Sequence, residues 1–481
     1  MTVDSNPDKA PFAVTASKSW KAWAGFALFL MVYAWAYTYL GTILIESNAT
    51  YRDGSVQSAY IDATYQSAAL REGKLDSDIS ISSRFTRALP QYTDGSIDPL
   101  FPWLCLGFSD SSPEILFEQG RWLNMLLSCS LLILLAVGAA RAFSFAGAAA
   151  LSLMGGFGVI LERSTYFSSD ALYYLLVVLA WLCALSLLRQ NHLWLYGVFG
   201  VLLAIAYLAR ASIWPLLAGF LIVSAVRTIA ALVVRRQSDE GDTLWNNANQ
   251  LVGIAILMTA FLLVAGPRMS YSATTFGGPF YSKASYLIWM DSSAEAREFF
   301  EKYSDAQSLS ELAWRDRPGM YRFLEENGFP ALMRRGWEGG LSQMRSSVLG
   351  RSGQILGYGA LVFLVIASIH RWTVLRQESE TWRVRGTSAR WMLLFAILVF
   401  ALTLFYSGVG NALVPNSALM TALFLPILLT FIWISERYRR QLQRSSHAKL
   451  VNRVYLGMLC LPIAWICLRI FTSIRAPLIS G

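Results

Sequence analysis

The stretch "SSDALYYLLVVLAWLCALSLLR" (168–189) decides the fold. Between Asp170 and Arg189 it carries no charged side chain. A bilayer core needs about 20 consecutive apolar residues in helical form, and this run is that long. Working outward in both directions, comparable runs recur at roughly 23–45, 122–140, 143–161, 193–208, 212–234, 249–266, 353–370, 390–407, 417–435 and 453–471. The chain therefore reads as an all-α integral membrane protein, a polytopic bundle of about eleven transmembrane helices.

Composition agrees. Of 481 residues, 55% are hydrophobic and 15% charged, and the mean hydropathy is +0.43. Soluble domains carry about 25% charged residues. The net charge of +9 does not argue for nucleic acid, because the basic residues collect in loops between apolar runs, where topology accounts for them. Cys129, Cys183, Cys460 and Cys467 lie in apolar runs and only Cys105 in a loop, so no disulfide framework is implied. His192, His370 and His447 are scattered, which argues against a histidine metal site.

The distribution of Lys and Arg predicts orientation. Lys18, Lys21, Arg141, Arg189, Arg235 and Arg236 fall in one set of short loops, continued by the basic clusters near 371–390 and 437–449. The alternate short loops hold only Arg163 and Arg210, and the two long loops do not obey the charge rule. The N-terminus is thus expected in the cytoplasm and the C-terminus outside, with a bacterial inner membrane as the expected location. The polar start reads as a cytoplasmic tail, residues 1–22, followed by a retained first helix. Residues 23–235 form a first membrane module that includes an outer loop at 46–121. Residues 236–352 hold helix seven and a second outer loop from 267, and 353–481 the C-terminal helices. Within the second loop, "SAEAREFFEKYSDA" and "GMYRFLEENGFPALMRRGW" predict short surface or interfacial helices.

Polar groups gathered at one face of a membrane bundle are costly and usually functional. The expected outer face collects Asp62 and Tyr65, then "DGSIDPLFPWL" (94–104) with Asp98, then Arg121. It continues with "ERSTYFSSDA" (162–171) and "YLARASIWP" (207–215). Each has a plainer reading. Asp62 reads equally as the N-cap of the helix that follows it, and Asp170 as a cap favoured by the helix dipole. Arg121 reads as an interfacial side chain that snorkels, and Arg163 as the partner of Glu162. Tyr65, Tyr166, Trp103 and Trp214 read as interfacial belt aromatics.

The order of these pieces resembles the GT-C superfamily of polyprenyl-phosphate-sugar-dependent glycosyltransferases, in particular its protein O-mannosyltransferase and aminoarabinose-lipid A transferase branch. The resemblance rests on "DATYQSAALREGK" (62–74), "DPLFPWL" (98–104), Arg121, "RSTYFSSDALYYLL" (163–176) and Arg210 with Pro215. It covers about residues 20–235. The chain departs from the family pattern at "SGVGNALVPNSAL" (407–419), which offers only Asn411 and Asn416 where many relatives have an acid or Arg.

The resemblance implies transfer of a sugar, with inversion, from a polyprenyl-phosphate donor to a hydroxyl of a lipid, glycan or protein acceptor at the extracytoplasmic face. Asp62 is then the expected general base, with Asp170 as a second carboxylate. Arg163, Arg210, Arg121 and Arg268 are expected on the donor phosphate, and Tyr65, Asp98, Tyr166 and Trp214 in the substrate pocket. No cofactor is expected, and the sparse carboxylates favour metal-independent chemistry. Two other readings stay open: an O-antigen polymerase or ligase-like enzyme, suggested by "MRRGWEGGLSQMRSSVLGR" (333–351), and a non-enzymatic lipid or solute transporter.

Overall fold

The computed structural model describes residues 19–47, 56–71, 98–235, 242–303, 387–410 and 417–442, most of 309–349, and isolated positions within 361–369 and 449–468. The expected spans at 353–370 and 453–471 fall on those isolated positions. Asn411, Asn416 and residues 94–97 lie outside the described residues. Every regular element among the described residues is helical. Among the described residues, seven helices are long and apolar enough to cross a membrane, and two shorter apolar helices accompany them. The protein is an all-α membrane protein.

The first span is α1, Trp20–Ser47. It buries Phe26, Tyr33, Tyr37, Leu40 and Ile45, a stripe at helical spacing. Its other face exposes Leu28, Met31, Val32 and Trp35. Both faces are apolar because the solvent on the outside is lipid. Helix α2, Val56–Arg71, follows outside the spans, then the short α3, Leu100–Leu104. Spans α4, Pro113–Ala142, and α5, Phe145–Gly155, form a hairpin. α5 widens into a π-turn at Gly156–Ile160 and closes in α6, Leu161–Ser164.

The opening stretch is α7, Asp170–Arg189, buried along most of its length. α8, Leu193–Ala209, returns to the same end of the bundle. A single-turn 3-10 segment, Ala211–Ile213, joins it to α9, Trp214–Arg235. Pro215 is the second residue of α9, where a missing N–H leaves no hydrogen bond unmade. α10, Asp242–Phe276, is longer than a bilayer needs and contains Pro267. It lies against α8 through Gly200, where an added Cβ would sit 2.3 Å from the Leu257 carbonyl oxygen. Small residues permit such close backbone approach in membranes.

Beyond α10 come the short α11, Lys283–Leu287, and α12, Ser293–Lys302. α12 lies within the expected "SAEAREFFEKYSDA" helix. Ser292 caps it, accepting from the Glu295 amide at 3.1 Å. α13, Met320–Leu349, extends beyond the expected "GMYRFLEENGFPALMRRGW" helix and breaks at Gly328, whose φ is +77°, just before Phe329 and Pro330. α14, Thr387–Val409, is a span. The short α15, Ser417–Ala422, and α16, Phe424–Leu442, complete the described bundle.

Candidate active site

At one end of the bundle the turn between α6 and α7, the α8–α9 turn and the start of α3 converge. Asp170 is the first residue of α7 and its carboxylate pairs with Nη1 of Arg210. The N-cap of α7 is Ser169, so Asp170 is not the cap itself. Arg163, at the end of α6, turns toward Asp170 with 3.9 Å between Nη1 and Oδ2. Arg210 has extended backbone between α8 and the 3-10 turn. Burial works against its charge, but the Asp170 carboxylate beside it more than offsets this and holds it protonated.

Asp98 completes the group. Pro99 behind it favours extended backbone, and its Oδ2 accepts the Ala211 amide at 3.3 Å. That amide opens the 3-10 turn and has no partner within it. Burial raises the Asp98 pKa above the usual carboxylate value, while Arg210, Arg268 and the Ala211 hydrogen bond pull it down, with burial the larger effect. Arg268, buried on α10 one residue past Pro267, is thus electrostatically coupled to the same carboxylate.

Residues not foreseen from sequence hold the geometry. Phe167 fills the centre of the α6–α7 turn, packed among Tyr60, Phe101 and Phe117. Gly120 makes room for it: an added Cβ would meet the Phe167 ring at 1.9 Å. Asn124 donates to the carbonyls of Tyr166 and Ser168 at 3.0 and 3.1 Å. Gln57 accepts the Phe167 amide at 3.1 Å. Tyr60 shares a 3.0 Å hydrogen bond with Ser169. Burial and the nearby Asp170 charge push the Tyr60 phenol up to about 12, so it stays neutral. Tyr173 donates to the Ser212 carbonyl at 3.1 Å, tying α7 to the Arg210 turn. Only the pattern of hydrogen-bonding side chains one helical face apart hints at these roles, and that pattern has no meaning until the helices are packed.

The expected site residues therefore divide. Asp170, Arg210, Arg163, Asp98 and Arg268 come together. Asp62 does not join them. It lies inside α2 and is exposed, two residues from Tyr60 and so on the opposite side of the helix. Neither the base position nor the N-cap position expected from sequence is where α2 puts it. Arg121 is buried and engaged: Nε donates to the Thr165 carbonyl and Nη2 to the Ile45 carbonyl, each at 2.7 Å. It clamps three segments of backbone and neither snorkels nor faces the group. Tyr65 donates to the Ser111 carbonyl at 2.7 Å and braces α2. Tyr166 lies near Arg121. Trp214 packs in an aromatic cluster with Tyr207, Phe261 and Phe280.

Among the described residues no group of His, Cys, Asp or Glu has the arrangement to hold a metal ion. Below the charged group, Tyr173, Val177, Pro215, Leu216, Val399 and Leu423 wall an apolar crevice. No family model and no curated protein matches the chain. The chemistry must be read from the group itself.

Proposed function

We propose that this protein is a membrane glycosyltransferase of the GT-C kind, moving a sugar from a polyprenyl-phosphate donor to an acceptor hydroxyl at the extracytoplasmic face. The observation that carries the reading is the convergence of Arg210, Arg163 and Arg268 on two carboxylates at one end of a membrane bundle. Fixed cations in a water-poor site stabilise charge developing on a departing phosphate. A carboxylate raised by burial suits the removal of a proton near neutral pH.

Asp98 replaces Asp62 as the base in this reading. The acceptor hydroxyl attacks C1 of the sugar and its proton passes to the Asp98 carboxylate. The C1–O bond to phosphate breaks, and the lipid phosphate leaves with the electron pair opposite Arg210, Arg163 and Arg268. Asp170 orients Arg210 through their ion pair. One displacement inverts the anomeric carbon, whereas retention requires a second carboxylate acting as nucleophile. The apolar crevice beside Tyr173 and Pro215 offers an apolar wall close to the cations, which suits a donor carrying a lipid chain.

The test uses purified protein, a labelled polyprenyl-phosphate sugar and three forms of the enzyme. Wild type and Asp62→Asn transfer sugar at similar rates, while Asp98→Asn binds donor and fails to transfer. Normal turnover by Asp98→Asn removes the base assignment. Failure of the wild type to engage any lipid-phosphate sugar removes the transferase reading altogether.

A further inference from the structure

Helix α13 is polar enough in sequence to pass for an ordinary loop helix, with Arg334, Arg335, Glu338 and Arg345 in its second half. Its packing says otherwise. Leu332, Gly336, Gly340 and Gln343 are buried along one face, pressed onto α14. An added Cβ at Gly408 would lie 2.0 Å from the Gly336 carbonyl oxygen. One at Gly340 would lie 2.6 Å from that of Leu404. The two backbones touch.

The face of α14 that receives α13 is the decisive point. Gly336 meets Phe405, and Gly408 and Leu404 meet the glycines of α13. Positions 393, 397, 401, 405 and 408 follow one another at steps of four or three, so they form a single stripe on α14. Its lower part is exposed, with Leu393 and Ile397 each 58% exposed. On a membrane span that exposure faces lipid. α13 therefore covers the upper part of a lipid-facing stripe and must itself meet lipid on its own outer side.

Rotation of α13 is fixed by Arg335. Its Nε donates to the Val409 carbonyl at 2.9 Å, and Nη2 donates to the carbonyls of Ile288 and Met290 at 2.8 and 3.1 Å. Nη1 pairs with Asp291 at 2.7 Å. With that face anchored, Met333, Trp337 and Leu341 stand outward at i, i+4 and i+8, 45%, 57% and 40% exposed. Exposed Arg334, Glu338 and Arg345 occupy the next stripe round the helix, two cations and one carboxylate.

We propose that this half of α13 is embedded in the bilayer leaflet at the site end of the bundle. Met333, Trp337 and Leu341 meet acyl chains, and Arg334 and Arg345 reach lipid phosphates. An apolar stripe bordered by a charged stripe of net positive sign, with an aromatic ring at the boundary, matches the charge and polarity of that layer. The occupant is phospholipid, not a second copy of the chain. The proposal is independent of any catalytic reading.

Full-length protein is reconstituted in phosphatidylcholine vesicles with and without brominated acyl chains, and compared with Trp337→Phe. The wild-type minus variant emission isolates Trp337. Brominated lipid removes most of that difference signal, while aqueous iodide leaves it unchanged. Quenching by iodide and not by bromine overturns the proposal. Quenching by neither also overturns it and points to a protein–protein contact, read as a dimer that Trp337→Glu dissociates. Trp337 packs no core, so the variant keeps the fold on which the comparison depends.

Discussion

Asp98 sits where burial and two arginines oppose each other, and that balance makes a pH prediction. Because its pKa is raised above the ordinary value of about 3.9, the carboxylate keeps its proton to higher pH than a free Asp. As the proposed base it must be ionised, so activity falls on acidification within a range above that of an ordinary carboxylate. A pH–rate profile of the wild type reads the limb directly. The stability sign runs the other way: a raised carboxylate favours folding below its unfolded value and loses that contribution as pH rises through the folded one. Asp98→Asn is therefore expected to be at least as stable as wild type at neutral pH by thermal unfolding in detergent, so lost activity will not reflect lost fold. Arg210→Ala leaves Asp170 shielded without its main partner and should cost on the order of 3 kcal/mol. The double variant with Asp170→Asn recovers part of it, which a double-mutant cycle measures. Arg121 makes a contrasting case. Two charge-assisted bonds to backbone are each worth about 1.5–3 kcal/mol, so Arg121→Ala lowers the unfolding temperature while leaving the pH–rate limb in place.

At the scale of elements, the short turns carry the design. The α6–α7 turn is held by Arg121 and Asn124 from α4 and by Gln57 and Tyr60 from α2. Its rigidity sets where Asp170 points. Gly120 underneath admits Phe167, and Gly120→Val drives two methyl groups into that ring. Overpacking of this kind costs about 1–3 kcal/mol, and the shift should appear as loss of activity and thermal stability together. Gly408→Val acts instead at the α13–α14 contact. It should detach α13, visible as faster proteolysis within 320–349, while leaving α7 to α9 packed.

At the scale of the whole molecule, orientation is open to a direct measurement. The arginine distribution predicts that the site end faces outward. Asp62 is exposed on α2, so Asp62→Cys should react with a membrane-impermeant maleimide in intact cells, above the wild-type background. Reaction only after lysis would invert the topology. The membrane class was legible because it depends on local composition: a run such as 171–188 has no stable place except in lipid or a core. The gathering of Asp170, Arg163 and Arg210 was legible because each sits at the end of an apolar run, and alternate ends must share a side. Which residues of that set touch was not legible. Asp62 and Tyr60 are two positions apart in one helix, and the choice of face depends on how α2 packs on Phe101 and Phe167. Arg121 and Arg210 are equally basic and equally near the interface in sequence. One is consumed by backbone carbonyls and the other by a carboxylate only because helices distant in the chain meet there. The lipid-facing stripe of α13 was hidden for the same reason: its polar composition misleads until Gly336 and Gly408 fix which side is turned away from the bundle. Burial of an apolar run is a property of the run, so sequence alone determined the membrane fold; the partner of a charge is a property of its neighbours, so only the packed helices decided the site.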